Sequence, residues 1–270
     1  MIDWSFWHLS GSPFAERHGG HFFTGGDHEE ALSRLLFAAE QARSCGIIYG
    51  PAGVGKSRVL QEVRRQLPGR TRACFQGDLT GVSTEEFAGR LGRWIGANLT
   101  GGNGWERLED WSRGQARLVR QQVWLFDEAD SARESLETEL LRLIRLNEAT
   151  RASSTMLIAV GHPGLIERLV ERAEFVVELT PWDPEDSQAF IAAALRRVGG
   201  NEALFTSEGW DALIDAAAGL PLRLQQLTEV ALVAGNVLRA PRLDGELVTA
   251  VAQQLGWAET PRSPLTTVDF

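Results

Sequence analysis

The chain has 270 residues, two cysteines and a formal net charge of −9 at pH 7. That length fits one large or two small domains whose core needs no disulfide or metal staple. The acidic balance gives no global electrostatic case for nucleic-acid binding, although a local basic patch in an oligomer stays open. No apolar run approaches the roughly 18 residues of a membrane span, and the N-terminus lacks the pattern of a signal peptide. Cys45 and Cys74, each beside a predicted core strand, read as small core residues in a reducing compartment, so the expectation is a cytoplasmic protein.

Residues 1–27 are aromatic and glycine-rich, with Trp4, Phe6, Trp7, Phe14, Phe22 and Phe23. Two readings fit: aromatics packed on a domain surface in irregular conformation, or an arm that binds a partner. His8, His18, His21 and His28 have spacings that fit no standard zinc pattern. Asp27 is placed to cap a helix with Glu30 at its third position and Leu32, Leu35 and Leu36 as its apolar stripe. That helix leads to Gly46-Ile47-Ile48-Tyr49, a short apolar run readable as a buried strand.

The run ends in Gly50-Pro51-Ala52-Gly53-Val54-Gly55-Lys56-Ser57, which matches G-x-x-x-x-G-K-[ST], the phosphate-binding loop of nucleotide triphosphatases. Glycines let the backbone curl with its N–H groups pointing inward as a concave anion site. The helix that follows, opening through Arg58 with Val59, Leu60, Val63 and Leu67 at helical spacing, adds free N-terminal N–H groups and its dipole. Lys56 can reach the β- and γ-phosphates and the Ser57 hydroxyl can ligate Mg²⁺. Pro68-Gly69 closes the helix.

Ala73-Cys74-Phe75 reads as a second strand, ending near Asp78. Ser83-Thr84-Glu85-Glu86 is a capping box for a helix through Phe87, Leu91, Trp94 and Ile95. A glycine-rich loop from Asn98 to Gly104 precedes a helix bearing Trp105, Leu108, Trp111 and Leu118. Val123-Trp124-Leu125-Phe126-Asp127-Glu128 is an apolar run closed by two carboxylates, as a buried parallel strand with acids at its C-terminal edge would be. In open α/β sheets ligands bind at that edge. Asp127 would hold Mg²⁺ directly or through water, and Glu128 would polarise the attacking water.

Leu136 to Leu146 forms an amphipathic helix, Thr155 to Val160 a further buried strand, and Phe175-Val176-Val177 a fifth. His162 follows the fourth strand and so faces the same edge. Strands alternating with helices up to about residue 181 imply an α/β fold with a parallel five-stranded sheet flanked by helices. Beyond, the punctuation is purely helical, with starts at Asp183-Pro184, Thr206 or Ser207, Pro221 and Asp244. The expected organisation is an aromatic segment at 1–27, a nucleotide-binding core at 28–181, a small all-helical lid at 182–256, and a poorly ordered tail at 257–270.

On these residues the sequence resembles the AAA+ ATPases of the P-loop NTPase class. More narrowly, it is similar to the ExeA/GspA-type ATPases, whose relatives include transposition ATPases of the TniB, TnsC and MuB kind. The resemblance rests on Phe6-Trp7 with Pro13-Phe14, on His28-Glu29-Glu30-Ala31-Leu32, and on the phosphate loop. It also rests on Phe126-Asp127-Glu128-Ala129, on Val160-Gly161-His162-Pro163 after the Leu136 to Leu146 helix, and on the Gly219-Leu220-Pro221-Leu222-Arg223 turn. It implies ATP and Mg²⁺ as ligands, with ADP as product, and a homo-oligomer.

The resemblance also implies roles for single residues. Glu128 and Lys56 are catalytic, with the loop from Gly50 through Arg58 on the nucleotide and Ser57 and Asp127 on the metal. His162 stands where the family often has Gln as a γ-phosphate sensor; the alternative is a surface loop histidine. Arg223 resembles a lid arginine that contacts nucleotide, one position later than relatives commonly place it. Arg172 aligns loosely with a position that acts in trans on a neighbour's nucleotide; a solvated surface arginine is the other reading. Two functions follow: an assembly ATPase serving a secretion or envelope complex through an unidentified protein partner, or an ATP-dependent regulator on double-stranded DNA. Members of the first group often carry a membrane span and a wall-binding domain after the ATPase, which are not expected here, and Arg142, Arg145 and Arg151 could line a DNA-facing surface in the second.

Overall fold

The computed structural model describes residues 4–15, 22–23, 25–67, 72–96, 104–118 and 121–257, with the backbone alone at 72–74. The Pro68-Gly69 helix stop, the body of the glycine-rich loop at 98–103, His18, His21, the Cys74 side chain and the tail from 258 lie outside the described residues.

Two compact units divide the chain, and residues 24–180 make the first. It contains α1 (Asp27–Glu40), β1 (Cys45–Tyr49), α2 (Lys56–Gln66), β2 (Arg72–Asp78), α3 (Thr84–Trp94), α4 (Gly104–Arg117), β3 (Gln121–Asp127), α5 (Glu137–Thr150), β4 (Ser154–Val160), α6 (Glu167–Val170) and β5 (Phe175–Glu178). The five strands form one sheet in the order β2-β3-β4-β1-β5, every neighbouring pair parallel. Helices cover both faces of such a sheet, so its inner strands read as continuous apolar runs rather than alternating ones. Val123 to Phe126 of β3 and Thr155 to Val160 of β4 are accordingly all buried. Trp124 and Phe126 lie under α3 and α5 in a core with Phe87, Leu91, Leu136, Leu140 and Ile158.

The predicted capping box opens α3: the Ser83 hydroxyl accepts from the Glu86 N–H while the Glu86 carboxylate accepts from the Ser83 N–H. Helix α1 starts differently from expectation. Its N-cap is Gly26, with no side-chain cap, and Asp27 instead accepts hydrogen bonds from the Thr180 backbone N–H and hydroxyl. Asp27 is already inside the helix, so its carboxylate serves a contact with the chain leaving β5 in place of an orphan amide.

The second unit comprises the helices after residue 181 together with the described part of the aromatic segment. Helices α7 (Pro184–Arg197), α8 (Ser207–Ala217), α9 (Pro221–Leu238) and α10 (Gly245–Gln254) start where the punctuation places them. Asp183, Thr206 and Asp244 cap through their side chains, and Pro184 and Pro221 occupy the first turn, where no amide is missed. The aromatic segment packs into this unit. Trp7 is buried and its indole N–H donates to the Leu232 carbonyl at 2.8 Å. A side chain at Gly235 would meet the Trp7 ring at 2.7 Å, so the close approach requires glycine there. Phe14 rests on Phe190, and Phe23 on Trp182 and Phe190.

Candidate nucleotide-binding site

The order β3-β4-β1 sets three chain ends side by side at one sheet edge. β1 ends in the phosphate loop, β3 in Asp127 and Glu128, and β4 in Gly161-His162. Residues far apart in sequence converge there because parallel strands all present their C-terminal ends to the same side.

The loop's glycines are required by geometry. Gly50, Gly53 and Gly55 have φ of 150°, 82° and 110°, values that side chains rarely adopt. A Cβ on Gly50 would lie 2.3 Å from the Leu179 carbonyl oxygen. Gly55 is the left-handed N-cap of α2 and provides no side-chain cap, so the first turn offers its N–H groups and the positive end of its dipole to an anion. Lys56 is buried, and its Nζ donates to the carbonyls of Gly50 and Pro51 at 2.8 and 3.2 Å. The ammonium is thus folded across the loop's own mouth, on acceptors weaker than a phosphate oxygen. Ser57 and Arg58 follow on the first turn of α2.

The acidic end is shaped by a turn. Glu128 has φ 51°, an uncommon conformation for a side chain of its size. The turn is held by Ala129 N–H to the Ala159 carbonyl and Ser131 N–H to the Glu128 carbonyl, at 3.1 and 3.0 Å. The Asp127 carboxylate accepts from the Glu128 N–H, and the Ser131 hydroxyl donates to the Glu128 carboxylate at 3.0 Å. Asp130 accepts from the Gly161 N–H at 2.7 Å, bolting the end of β3 to the end of β4. A Cβ on Gly161 would lie 2.5 Å from that carboxylate, which explains the glycine before His162. His162 is exposed, and its Nδ1 accepts from the Gly164 N–H at 3.0 Å. The acceptor role of Nδ1 places the ring proton on Nε2 and leaves that nitrogen a donor.

Other predicted residues lie elsewhere. Arg172 precedes β5, so it stands at the opposite edge of the sheet, paired with Glu148 at 3.0 Å. Arg223 belongs to the helical unit, on the first turn of α9, with its guanidinium 5.3 Å from the centre of the Trp257 ring. The turn before α9 is fixed by the Trp182 N–H on the Gly219 carbonyl at 2.8 Å and by Gly219 itself, whose φ is 70°.

Three contributors carry no signal of this role in the sequence: His28, Ser131 and Asp130. His28 is buried against the phosphate loop, with Nε2 2.7 Å from the Val54 carbonyl oxygen. The D-E-A-D spacing holds Asp130 in plain view, but its role depends on the register between β3 and β4. Nothing in the sequence points Ser131 at Glu128.

This donor set fits a nucleotide triphosphate with a divalent cation: an uncapped helix N-terminus, a buried lysine parked on weak acceptors, and a hydroxyl and two carboxylates at one strand edge. Ser57 and Asp127 are the residues that could hold the cation. Among the described residues no cluster of three or more metal-ligating side chains occurs; a cation carried by phosphate and water needs fewer protein ligands than that.

Comparison with known proteins agrees with the geometry. Residues 39–169 match a family described as an AAA domain, AAA_22. No curated protein sequence matches the chain. Among solved structures, the Aeropyrum pernix ORC1 protein in complex with DNA superposes with a TM-score of 0.70 at 17% identity, covering 92% of this chain and 69% of that one. The Aeropyrum pernix ORC2 protein, in ADPNP and ADP complexes, gives 0.64 at 12% identity, covering 85% and 67%. The Thermotoga maritima RuvB Holliday junction branch migration motor gives 0.60 at 17% identity, covering 86% and 70%. At these identities the likeness is one of fold. Residues 39–169 thus resemble an AAA domain, and the chain has the fold of the P-loop AAA+ ATPases.

Proposed function

We propose that this protein is an Mg²⁺-dependent ATPase that completes its active site between subunits of a homo-oligomer. The observation that carries the reading is the convergence of the phosphate loop, Asp127-Glu128 and His162 on one edge of the sheet. The loop amides and Lys56 bind the phosphate chain, with Lys56 exchanging the carbonyls of Gly50 and Pro51 for phosphate oxygens. Mg²⁺ held by Ser57 and Asp127 would neutralise charge on the β- and γ-phosphates. Glu128 accepts a hydrogen bond from the attacking water and orients it for in-line displacement. His162 donates through Nε2 to the γ-phosphate. Arg223 is a further nucleotide contact. The product is ADP.

Arg172 stands at the edge away from its own phosphate loop, which suits a residue that serves a neighbouring subunit. An arginine supplied in trans is worth roughly 10³–10⁵ in rate in well-studied triphosphatases. Turnover per subunit should therefore rise with protein concentration, and Arg172→Ala should flatten that rise.

A second level of the reading concerns the partner. Two of the fold neighbours were solved with DNA, the Aeropyrum ORC1 protein and Drosophila ORC. They favour a DNA-associated ATPase, working in the cytoplasm, over the envelope-assembly role that the ExeA-type resemblance also allows. Among the described residues no helix is long and apolar enough to cross a membrane. The test is ATP turnover across a protein concentration series, with and without double-stranded DNA. Stimulation by DNA supports the DNA-associated reading; concentration dependence without a DNA effect transfers the search to protein partners. Turnover flat with concentration removes the trans arginine.

A further inference from the structure

His28 is 2% exposed, yet no role in the reaction above uses it. It sits on the first turn of α1 with its ring between two backbone carbonyls. Nε2 lies 2.7 Å from the Val54 oxygen and Nδ1 3.1 Å from the Gly25 oxygen. Both partners are carbonyl oxygens, which only accept, so a ring carrying a proton on Nε2 donates it to Val54. The ring also packs on the next residue of the loop, since a Cβ on Gly55 would lie 2.8 Å from His28 Nε2. Gly55 immediately precedes Lys56.

A loop that turns its N–H groups inward toward phosphate must turn carbonyls away from it. Two kinds of donor meet those carbonyls here. Lys56 takes Gly50 and Pro51, and must leave them to reach a phosphate. His28 takes Val54 from outside the anion site, so its bond is compatible with a bound phosphate. Three glycines at positive φ make the loop conformationally permissive, and ordering it on binding would cost affinity. The base of His28 is itself fixed: the preceding residue, Asp27, is bound by the Thr180 hydroxyl and N–H at the exit of β5.

We infer that His28 is a positioning residue of the phosphate loop: its Nε2–H holds the Val54 carbonyl, and with it Gly55 and Lys56, in the conformation that receives phosphate. The consequence for nucleotide rests on the phosphate-loop reading above; the hold on the loop does not. The test pairs two measurements on the full chain, hydrogen exchange of the amides at 53–57 without nucleotide and affinity for ATP by titration. His28→Leu keeps the bulk and removes the donor. His28→Gln keeps a donor at similar reach, and His28→Asn carries one too short to arrive.

His28→Leu and His28→Asn should speed loop exchange and weaken ATP about three- to tenfold, the worth of one net hydrogen bond. His28→Gln should recover most of both, even where thermal melting shows the same loss of global stability in all three variants. Loop exchange unchanged in His28→Leu, or His28→Gln no better than His28→Asn, would overturn the inference. Should His28→Leu fail to fold, the Gln and Asn pair carries the same contrast. Faster loop exchange with unchanged ATP affinity would overturn the link to nucleotide. A wild-type protein that binds no ATP, with a loop still loosened by His28→Leu, would sink the nucleotide reading and leave the positioning role standing.

Discussion

Lys56 illustrates how much of the site is decided by single side chains. Its ammonium bridges two carbonyls of the loop it belongs to, so the loop is closed over an internal cation until a stronger anion arrives. Replacing it with Ala removes both that closure and the phosphate contact. Lys56→Ala should lose tight ATP binding in a titration, and affinity within about twofold of wild type would overturn the phosphate-loop assignment, since a charged hydrogen bond is worth more than that. Cys45, at the start of β1, shows the opposite behaviour. Burial pushes its thiol from the ordinary 9.0 up to about 12. The thiolate is the reactive form, so alkylation of Cys45 at neutral pH should be negligible in the native protein and prompt in denaturant, read by peptide mass mapping. The sign of the linkage is fixed: the folded state holds the proton that the unfolded state releases above pH 9, so this group makes stability fall as pH rises from 9 toward 12.

The residues that escaped the sequence are those whose partner is set by tertiary register. Lys56, Asp127 and Glu128 were legible because the chemistry fixes their spacing within one loop or one strand end. His28 is legible as part of the His28-Glu29-Glu30-Ala31-Leu32 resemblance but not as a contact of the phosphate loop, because its partner, Val54, lies 26 positions away across a helix-to-loop contact. Asp130 and Gly161 meet 31 positions apart, and only the parallel pairing of β3 with β4 brings them together.

At the scale of elements, helix starts were the most legible feature. Ser83, Asp183, Thr206 and Asp244 each cap the helix they precede, because a cap is a local event between a side chain and amides two or three residues on. Asp27 shows the limit: the sequence fits a cap, but a tertiary acceptor role with Thr180 overrides it. Strands β3 and β4 are readable from length and apolar continuity, while the order in which the strands neighbour one another is not. Trp124 is fully buried at the centre of β3 and stacks on Phe126. Trp124→Ala should cost about 3–5 kcal/mol by denaturant unfolding. A different outcome is expected at the loop. Gly50→Ala forces a Cβ against the Leu179 carbonyl in a backbone region unfavourable to alanine, so it should weaken ATP binding by more than tenfold, roughly the effect of 1.4 kcal/mol of strain or more. Unchanged ATP affinity in that variant would mean that the loop has another accessible conformation.

For the whole molecule, the sheet topology assigns the residues of the candidate mechanism to separate places. The phosphate loop, the two acids and His162 share one edge; Arg172 stands at the other; Arg223 belongs to the helical unit. In the proposed mechanism the first group binds and positions, and Arg172 serves a neighbouring subunit. The aromatic segment, readable from sequence either as packing or as an arm, is packed into the helical unit through Trp7 and Phe23. Composition had no way to choose between those readings, because buried and partner-binding aromatics look alike in a sequence.

Phosphate release from ATP by wild type and Glu128→Gln, compared side by side with ATP affinity on the same preparations, is the decisive measurement. If Glu128 orients the attacking water, wild type turns over with Mg²⁺ and Glu128→Gln is slower by at least about a hundredfold, the scale of a positioned general base. The variant should still bind ATP within a few-fold of wild type. Undiminished phosphate release by Glu128→Gln would refute the mechanism, for it would remove the strand-end carboxylate from the chemistry.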